Sequence, residues 1–371
     1  MHLRPSVALR GALACLLAAG CGGDQAGAPP AATDGGDVSG IVTPTTGDGG
    51  AADTQPRLDL PEADTATSGG GVEAPGCEKV DLLFVIDNSG SMADEQANLI
   101  ASFPGFMAAI KQTLIASDYH IMAVSTDDGR GVLDGDCDFE ECVCTPSPTC
   151  CVETCDSIFA ETCNGLSCAS LPIDACDLAY GAGRTADQLG ASCELAEGRR
   201  YMRADQPNID QAFQCVASVG IAGSGDERPI YAALSALAPE LNAEGGCNAG
   251  FLRDDAILVL VLITDEEDDG TYGSPGDPPS WYEQVVAAKH GNPRSVVVLG
   301  LVGDGNRPGS PCPVMWDLEQ DGAEPSPRLQ EFVEMFDGGI VGSVCSPDYA
   351  PFLLDAVGVI DQACDVFEPI G

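Results

Sequence analysis

Two stretches of the sequence are almost wholly apolar, and each ends in an aspartate. The first is VDLLFVI, residues 80–86, which Asp87 follows, and the second is AILVLVLIT, residues 256–264, which Asp265 follows. Runs of this kind are typical of strands that are covered on both faces, as in parallel sheets flanked by helices. We therefore expect both runs to lie in the middle of one sheet.

Helix and strand patterns alternate through residues 77–367. A helix is predicted over residues 92–117, which Pro104 is expected to kink or split, and a strand over residues 119–125. The other predicted strands are 256–264, 295–302, 339–344 and a short edge strand at 199–204. The other predicted helices are 208–219, 230–241, 279–290, 327–336 and 352–364. Asn208 is the predicted cap of the first of these helices. The alternation predicts an α/β fold with a Rossmann-like, mostly parallel central sheet flanked by helices.

Cysteine usage indicates an oxidising compartment. The chain has 18 cysteines; two precede Cys77, which leaves 16, an even number that allows up to eight disulfides. Ten of them lie in residues 134–193, where apolar periodicity is weak, so we predict a disulfide-rich insertion at residues 135–176 whose pairing the sequence leaves open. Zinc binding by Cys142-Val143-Cys144 and Cys150-Cys151 is the alternative, but the chain has only three histidines to support it.

Residues 1–21 have the pattern of an export signal. A positively charged start precedes an apolar segment that is too short to span a bilayer, and the segment ends in LAAGC, residues 17–21. This ending resembles the lipobox of bacterial lipoproteins, which makes Cys21 the predicted lipidation site; an ordinary cleaved signal peptide is the alternative. Because Gly22 rather than aspartate follows, we expect an outer-membrane or cell-surface location in the envelope, with the lipid as the only membrane contact.

The composition of residues 22–76 and the net charge of the chain limit the kinds of structure and partner that we expect. Residues 22–76 are rich in Gly, Ala, Pro, Thr and Asp, which predicts a disordered linker. The whole chain carries a formal net charge of −42, from 58 acidic and 16 basic residues. That charge argues against a nucleic-acid partner and favours a soluble exported surface or a protein that handles divalent cations.

Oxygen-bearing side chains follow both apolar runs. DNSGS, residues 87–91, follows the first run, and DEEDD, residues 265–269, follows the second. The carboxyl ends of such strands meet at the crevice where open α/β sheets place their ligands. Carboxylates and hydroxyls suit a hard cation, Mg²⁺ first and Mn²⁺ or Ca²⁺ next. Each motif alone also fits a turn or a solvated surface, so the prediction depends on their joint placement.

An apolar strand followed by D-x-S-x-S, with a later strand that ends in LITD, resembles the von Willebrand factor type A (vWA) domain. The resemblance covers about residues 77–367, interrupted by the insertion. It implies a metal-ion-dependent adhesion site (MIDAS) at the top of the sheet. The residues that match the family's cation ligands are Asp87, Ser89, Ser91 and Asp265.

The loop that should supply the second part of the MIDAS departs from the family pattern. The family has a threonine there, whereas this loop reads GSGDERP, residues 223–229. Glu227 is the predicted replacement as a ligand, and Asp226 is the rival, which alternatively caps the next helix. A carboxylate in this loop is expected to tighten cation binding and to weaken the recruitment of an acidic ligand.

The lipobox and the vWA resemblance together imply a lipid-anchored, extracytoplasmic adhesion module that is not an enzyme. Its partner is expected to be a protein whose acidic side chain completes the cation's coordination. One alternative is a structural envelope protein whose metal only stabilises the fold. The other is a metal-dependent hydrolase with Glu266 or Glu267 as base, although the sequence has no second catalytic motif to support it.

Overall fold

The computed structural model describes residues 77–114, 118–126, 162–163, 166–167, 175–177, 179–188, 191–221, 223, 227–271, 273–313 and 322–368. The predicted signal peptide with Cys21, the linker at 22–76, Asp226 and most of the insertion lie outside the described residues.

The described strands form one large sheet and one small one. They are β1 Lys79–Ile86, β2 Asp118–Ser125, β3 Thr162–Cys163, β4 Leu166–Ser167, β5 Met202–Arg203, β6 Ile257–Ile263, β7 Val296–Val302 and β8 Gly339–Ser343. In the described part of the chain, six strands make the large sheet in the order β5-β2-β1-β6-β7-β8, and β3 pairs with β4. Neighbours in the large sheet are parallel except β5, which runs antiparallel to β2 at the edge. The expected mostly parallel sheet and the short edge strand are therefore confirmed.

Helices cover both faces of this sheet. They are α1 Ala93–Thr113, α2 Ile209–Ala217, α3 Pro229–Leu237, α4 Pro239–Asn242, α5 Pro278–Ala288, α6 Pro327–Glu334 and α7 Ala350–Val366, with 3₁₀ turns at Ala196–Gly198 and Pro293–Ser295. Successive strand side chains point to opposite faces. Phe84 of β1 packs in a core with α1, α2 and α7, whereas its neighbours Leu83 and Val85 pack with α3, α5 and α6. The sheet is thus buried on both sides, as the continuous apolar runs predict.

Three local predictions differ from the structure. Helix α1 continues through Pro104 and is not split. Asn208 precedes α2 in a left-handed conformation, and its side chain makes no capping hydrogen bond, so the predicted cap is wrong. The helix predicted over residues 230–241 divides at Ala238, which is extended because Pro239 disfavours a helical conformation in the residue before it.

Disulfides cross-link the domain at several places. Among the described cysteines, the bonds are Cys77–Cys364, Cys176–Cys247, Cys193–Cys215 and Cys312–Cys345. The first joins the start of β1 to the end of α7. Cys176, the last residue of the predicted insertion, bonds to Cys247 in the loop before β6. The end of the predicted insertion is therefore anchored to the body of the domain.

Strand order identifies where a ligand crevice belongs. The chain proceeds from β1 to β2 on one side and later enters β6 on the other side of β1. The order therefore reverses between β1 and β6, and open α/β sheets bind ligands beyond the carboxyl ends of strands at such a switch point. Among the described residues, no helix is both long and apolar enough to cross a membrane.

Candidate metal centre

Asp87 and Asp265 end the two strands that flank the switch point. β1 and β6 pair in parallel from Val80 opposite Ile257 to Ile86 opposite Ile263. The register continues one step further, since the Asp87 N–H donates to the Ile263 carbonyl at 3.0 Å. Asp87 is 0% exposed and Asp265 is 4% exposed. The fold therefore buries two carboxyl groups side by side at the edge where a ligand is expected.

The Asp87 carboxyl is held by two donors from the crevice. The Ser89 backbone N–H donates to Oδ1 at 2.7 Å, and the Thr264 hydroxyl donates to Oδ2 at 2.5 Å. Burial raises the pKa of Asp87 to about 7, and the nearby charge of Asp265 acts in the same direction. The hydrogen bonds oppose this rise without cancelling it. In the metal-free protein, the Asp87 carboxyl is therefore oriented by its donors but is divided between its neutral and charged forms near neutral pH.

The two serines of DNSGS complete a row of oxygens toward Asp265. The Ser89 hydroxyl lies 3.5 Å from Asp265 Oδ1 and 3.3 Å from the Ser91 hydroxyl. Burial raises the pKa of Asp265, although hydrogen bonds from the two serine hydroxyls favour its charged form. Ser89 is buried and Ser91 is exposed. The crevice therefore opens to solvent on the side of Ser91.

Glu227 lies in the α2–α3 loop, which is fixed to the loop that follows β1. The Gly223 N–H donates to the Asn88 carbonyl at 2.9 Å. A Cβ at Gly223 would lie 2.4 Å from Asn88 Cγ, so a larger residue would force the Asn88 side chain to move. Glu227 itself is 2% exposed. The predicted second-loop carboxylate is thus buried in a loop that adjoins the DNSGS segment.

The N-terminus of α3 is bound by an acidic side chain from the loop after β6. Helix α3 begins with its Ile230 N–H donating to Asp268 Oδ2 at 3.0 Å, and Asp268 also accepts from the backbone and hydroxyl of Ser274. Glu267 similarly accepts the first backbone N–H groups of α6, from Arg328 at 2.8 Å and Leu329 at 3.3 Å. Two members of the DEEDD run therefore stabilise helix N-termini.

Two residues of the crevice were missed in the sequence. Thr264, which orients Asp87, was read only as the end of an apolar run. Glu95 in the first turn of α1 is buried, and its Oε2 has no hydrogen-bond partner among the described residues. Burial raises the pKa of Glu95 to about 8, with the charges of Asp94 and Asp265 contributing. The available signal was a run of polar residues on the side of α1 that the apolar periodicity marks as buried.

The arrangement fits a hard cation that is held partly by hydroxyls. No described lysine, arginine or histidine forms an ion pair with Asp87 or Asp265. Within the described ranges, no three His, Cys, Asp or Glu side chains are grouped closely enough to hold a metal by themselves. A cation here would depend on the Ser89 and Ser91 hydroxyls and on water as well, which is chemistry that Mg²⁺ accepts.

No family model matches the chain, and no curated protein is significantly similar to it. The resemblance to the vWA domain stays a prediction from the motifs at Asp87–Ser91 and Asp265.

Proposed function

We propose that residues 77–367 form a vWA-type domain whose MIDAS-like site binds a divalent cation, Mg²⁺ in preference to Mn²⁺ or Ca²⁺. The proposed ligands are Asp87, Ser89, Ser91 and Asp265, with Glu227, directly or through a water molecule, in place of the family's threonine. The cation would neutralise the carboxylates and leave a coordination position for a partner's group.

The observation that carries this proposal is the buried pair Asp87 and Asp265, for which no described base serves as counter-ion. An uncompensated buried charge costs on the order of several kcal/mol. A pair of like charges at the ends of adjacent strands adds Coulomb repulsion to that cost. A bound divalent cation removes both penalties at once, and the hydroxyls of Ser89 and Ser91 lie where they can coordinate it.

The proposed partner is a protein, engaged through an acidic side chain that completes the coordination of the cation. Lipidation of Cys21 would anchor the chain in the bacterial envelope, with the outer membrane or cell surface favoured, and the linker at 22–76 would hold the domain away from the lipid. A net charge of −42 disfavours nucleic acid as the partner.

The test combines cation titration with partner capture. Calorimetric titration with Mg²⁺ and Mn²⁺ compares wild type with Asp87→Ala, and Asp254→Ala is the matched control because Asp254 is an exposed carboxylate before the opposite end of β6. We expect saturable binding in wild type and in the control, and no binding in Asp87→Ala. A pull-down from envelope extract, with and without chelator, then measures the partner's dependence on the cation.

The outcomes separate the alternatives. A wild-type protein that binds neither cation contradicts the proposed site. Cation binding combined with partner capture that is insensitive to chelator favours the structural envelope protein. Metal-dependent turnover of a hydrolase substrate, lost in Asp265→Ala, would favour the hydrolase instead.

A further inference from the structure

Gln96 bridges the two loops that carry the proposed cation ligands. It lies in the first turn of α1 and is 7% exposed. Its Nε2 donates to the Asp87 carbonyl at 3.0 Å and to the Gly220 carbonyl at 2.7 Å, and its Oε1 accepts from the Gly220 N–H at 3.3 Å. One side chain thus satisfies three backbone groups that belong to two separate loops.

Only an amide of this length can make that set of bonds. The two carbonyls require two N–H donors and the Gly220 N–H requires an acceptor, which a primary amide provides together. A carboxylate at position 96 has no N–H to donate, so it would leave both carbonyls without a donor. An apolar side chain would leave all three buried groups unsatisfied. Each unsatisfied group is unfavourable in a buried site.

The position of the bridge connects it to the chemistry of the site. Asp87 opens the segment that contains Ser89 and Ser91, and Gly220 opens the loop that contains Glu227. The loop is tied a second time where the Gly223 N–H meets the Asn88 carbonyl. These two ties fix Gly220 and Gly223, in the first part of that loop, against the segment that begins at Asp87.

We propose that Gln96 is a positioning residue of the cation site. It sets the spacing between the Asp87–Ser91 segment and the loop that leads to Glu227, and it acts through the backbone without touching the metal. The inference rests on the proposed function, since it concerns the same cation. It adds that the affinity of the site depends on a neutral side chain outside the D-x-S-x-S motif.

The experiment measures Mn²⁺ affinity by calorimetry in the oxidised protein. Gln96→Met keeps the length of the side chain and removes its hydrogen bonds, and Asn98→Met is the matched control because the Asn98 amide reaches the Ser346 carbonyl instead. Residues that orient metal ligands typically change affinity by about 10–100-fold. We expect a loss in that range for Gln96→Met and none for the control, with both proteins folded by circular dichroism.

A double-mutant cycle with Glu227→Gln distinguishes positioning from general loosening of the fold. If Gln96 acts through Glu227, Gln96→Met has little further effect in the Glu227→Gln protein, so the two changes are non-additive. Additive losses overturn the inference, as does unchanged affinity in Gln96→Met. If Gln96→Met does not fold, Gly223→Ala replaces it, because its Cβ would push the same loop from Asn88, and we expect the same loss. Absence of Mn²⁺ binding in wild type overturns the proposed function itself.

Discussion

Strand β1 carries a buried aspartate near each end, and the two have opposite surroundings. Asp81, near the start, is 0% exposed and accepts from Arg253 Nε at 2.8 Å and from the Arg253 backbone N–H at 2.7 Å. Asp87, just past the end, is equally buried, but its charged neighbour is Asp265. The two aspartates are therefore equally buried, but a positive charge lies beside Asp81 and a negative charge lies beside Asp87.

The pKa values follow this difference. Burial raises the pKa of Asp81 to about 6, and the charge of Arg253 works against the rise. Burial raises the pKa of Asp87 to about 7, and the charge of Asp265 adds to it. His120 lies 3.7 Å from Asp81, but burial lowers its pKa to about 4, so it is neutral and Arg253 is the counter-ion. Among the described residues, Arg253 neutralises the aspartate at one end of β1, and no base forms an ion pair with the aspartate at the other end.

The largest expected effect is a loss of stability when the counter-ion of Asp81 is removed. Arg253→Ala removes the counter-ion of Asp81 and should lower the free energy of unfolding by about 3–5 kcal/mol, because it leaves a buried carboxyl group alone. Urea denaturation measures the change, and Arg294→Ala is the control at an arginine of a 3₁₀ turn. The affinity of the folded protein for Mg²⁺ should not change. A loss below about 1 kcal/mol would show that Asp81 needs no counter-ion and would remove the contrast.

The next largest expected effect is a loss of Mg²⁺ affinity when the charge of Asp87 is removed. Asp87→Asn should lower Mg²⁺ affinity by more than about 100-fold, since removing a residue that merely orients a ligand already costs about 10–100-fold. Stability without metal should stay the same or rise, because the repulsion with Asp265 disappears. Asp81→Asn is the mirror experiment, with Mg²⁺ affinity retained. Titration calorimetry and thermal melts measure both quantities, and a metal-free Asp87→Asn protein that is markedly less stable would contradict the comparison.

The pH dependence of stability tests both ends together. The pKa values of Asp81 and Asp87 are raised above those of an unfolded aspartate, so their contribution is full below about pH 4 and is lost as pH rises through about 6 and 7. These two groups should therefore stabilise the metal-free protein by about 4 kcal/mol more at pH 5 than at pH 8, with the larger share from Asp87. Asp87→Asn should reduce this gain, and saturating Mg²⁺ should stabilise the protein most at the alkaline end. A metal-free protein that loses stability over this interval refutes the assignment.

The smallest expected effect separates the roles within the acidic run. Glu267→Gln keeps the shape of the side chain but removes its charge at the N-terminus of α6, which should cost about 0.3–1 kcal/mol. Mg²⁺ affinity should be unchanged, because the carboxylate accepts from the backbone of Arg328 and Leu329. Glu334→Gln, at the opposite end of α6, is the control. A tenfold fall in Mg²⁺ affinity would assign Glu267 to the cation site.

The sequence was sufficient for the architecture because its strongest signals are local. The runs that end at Asp87 and Asp265 have to be buried on both faces, and a helix-covered parallel sheet is the arrangement that does this. The position of Ser89 close to Asp265 follows from that, since parallel strands bring their carboxyl ends together. The family, the cation and the partner stay predictions.

Only the tertiary structure decided which polar groups meet. Asp81 and Arg253 are 172 positions apart, and Gln96 and Gly220 are 124 apart, so no periodicity relates them. The acidic loop after β6 reads as one uniform run, yet Glu267 is directed to a helix terminus while Asp265 faces Ser89. Apolar patterning determines which segments are buried, because burial depends on each segment's own composition. The partner of a buried charge depends on which distant loop the fold brings beside it, and the fold places Arg253 beside Asp81 but Asp265 beside Asp87.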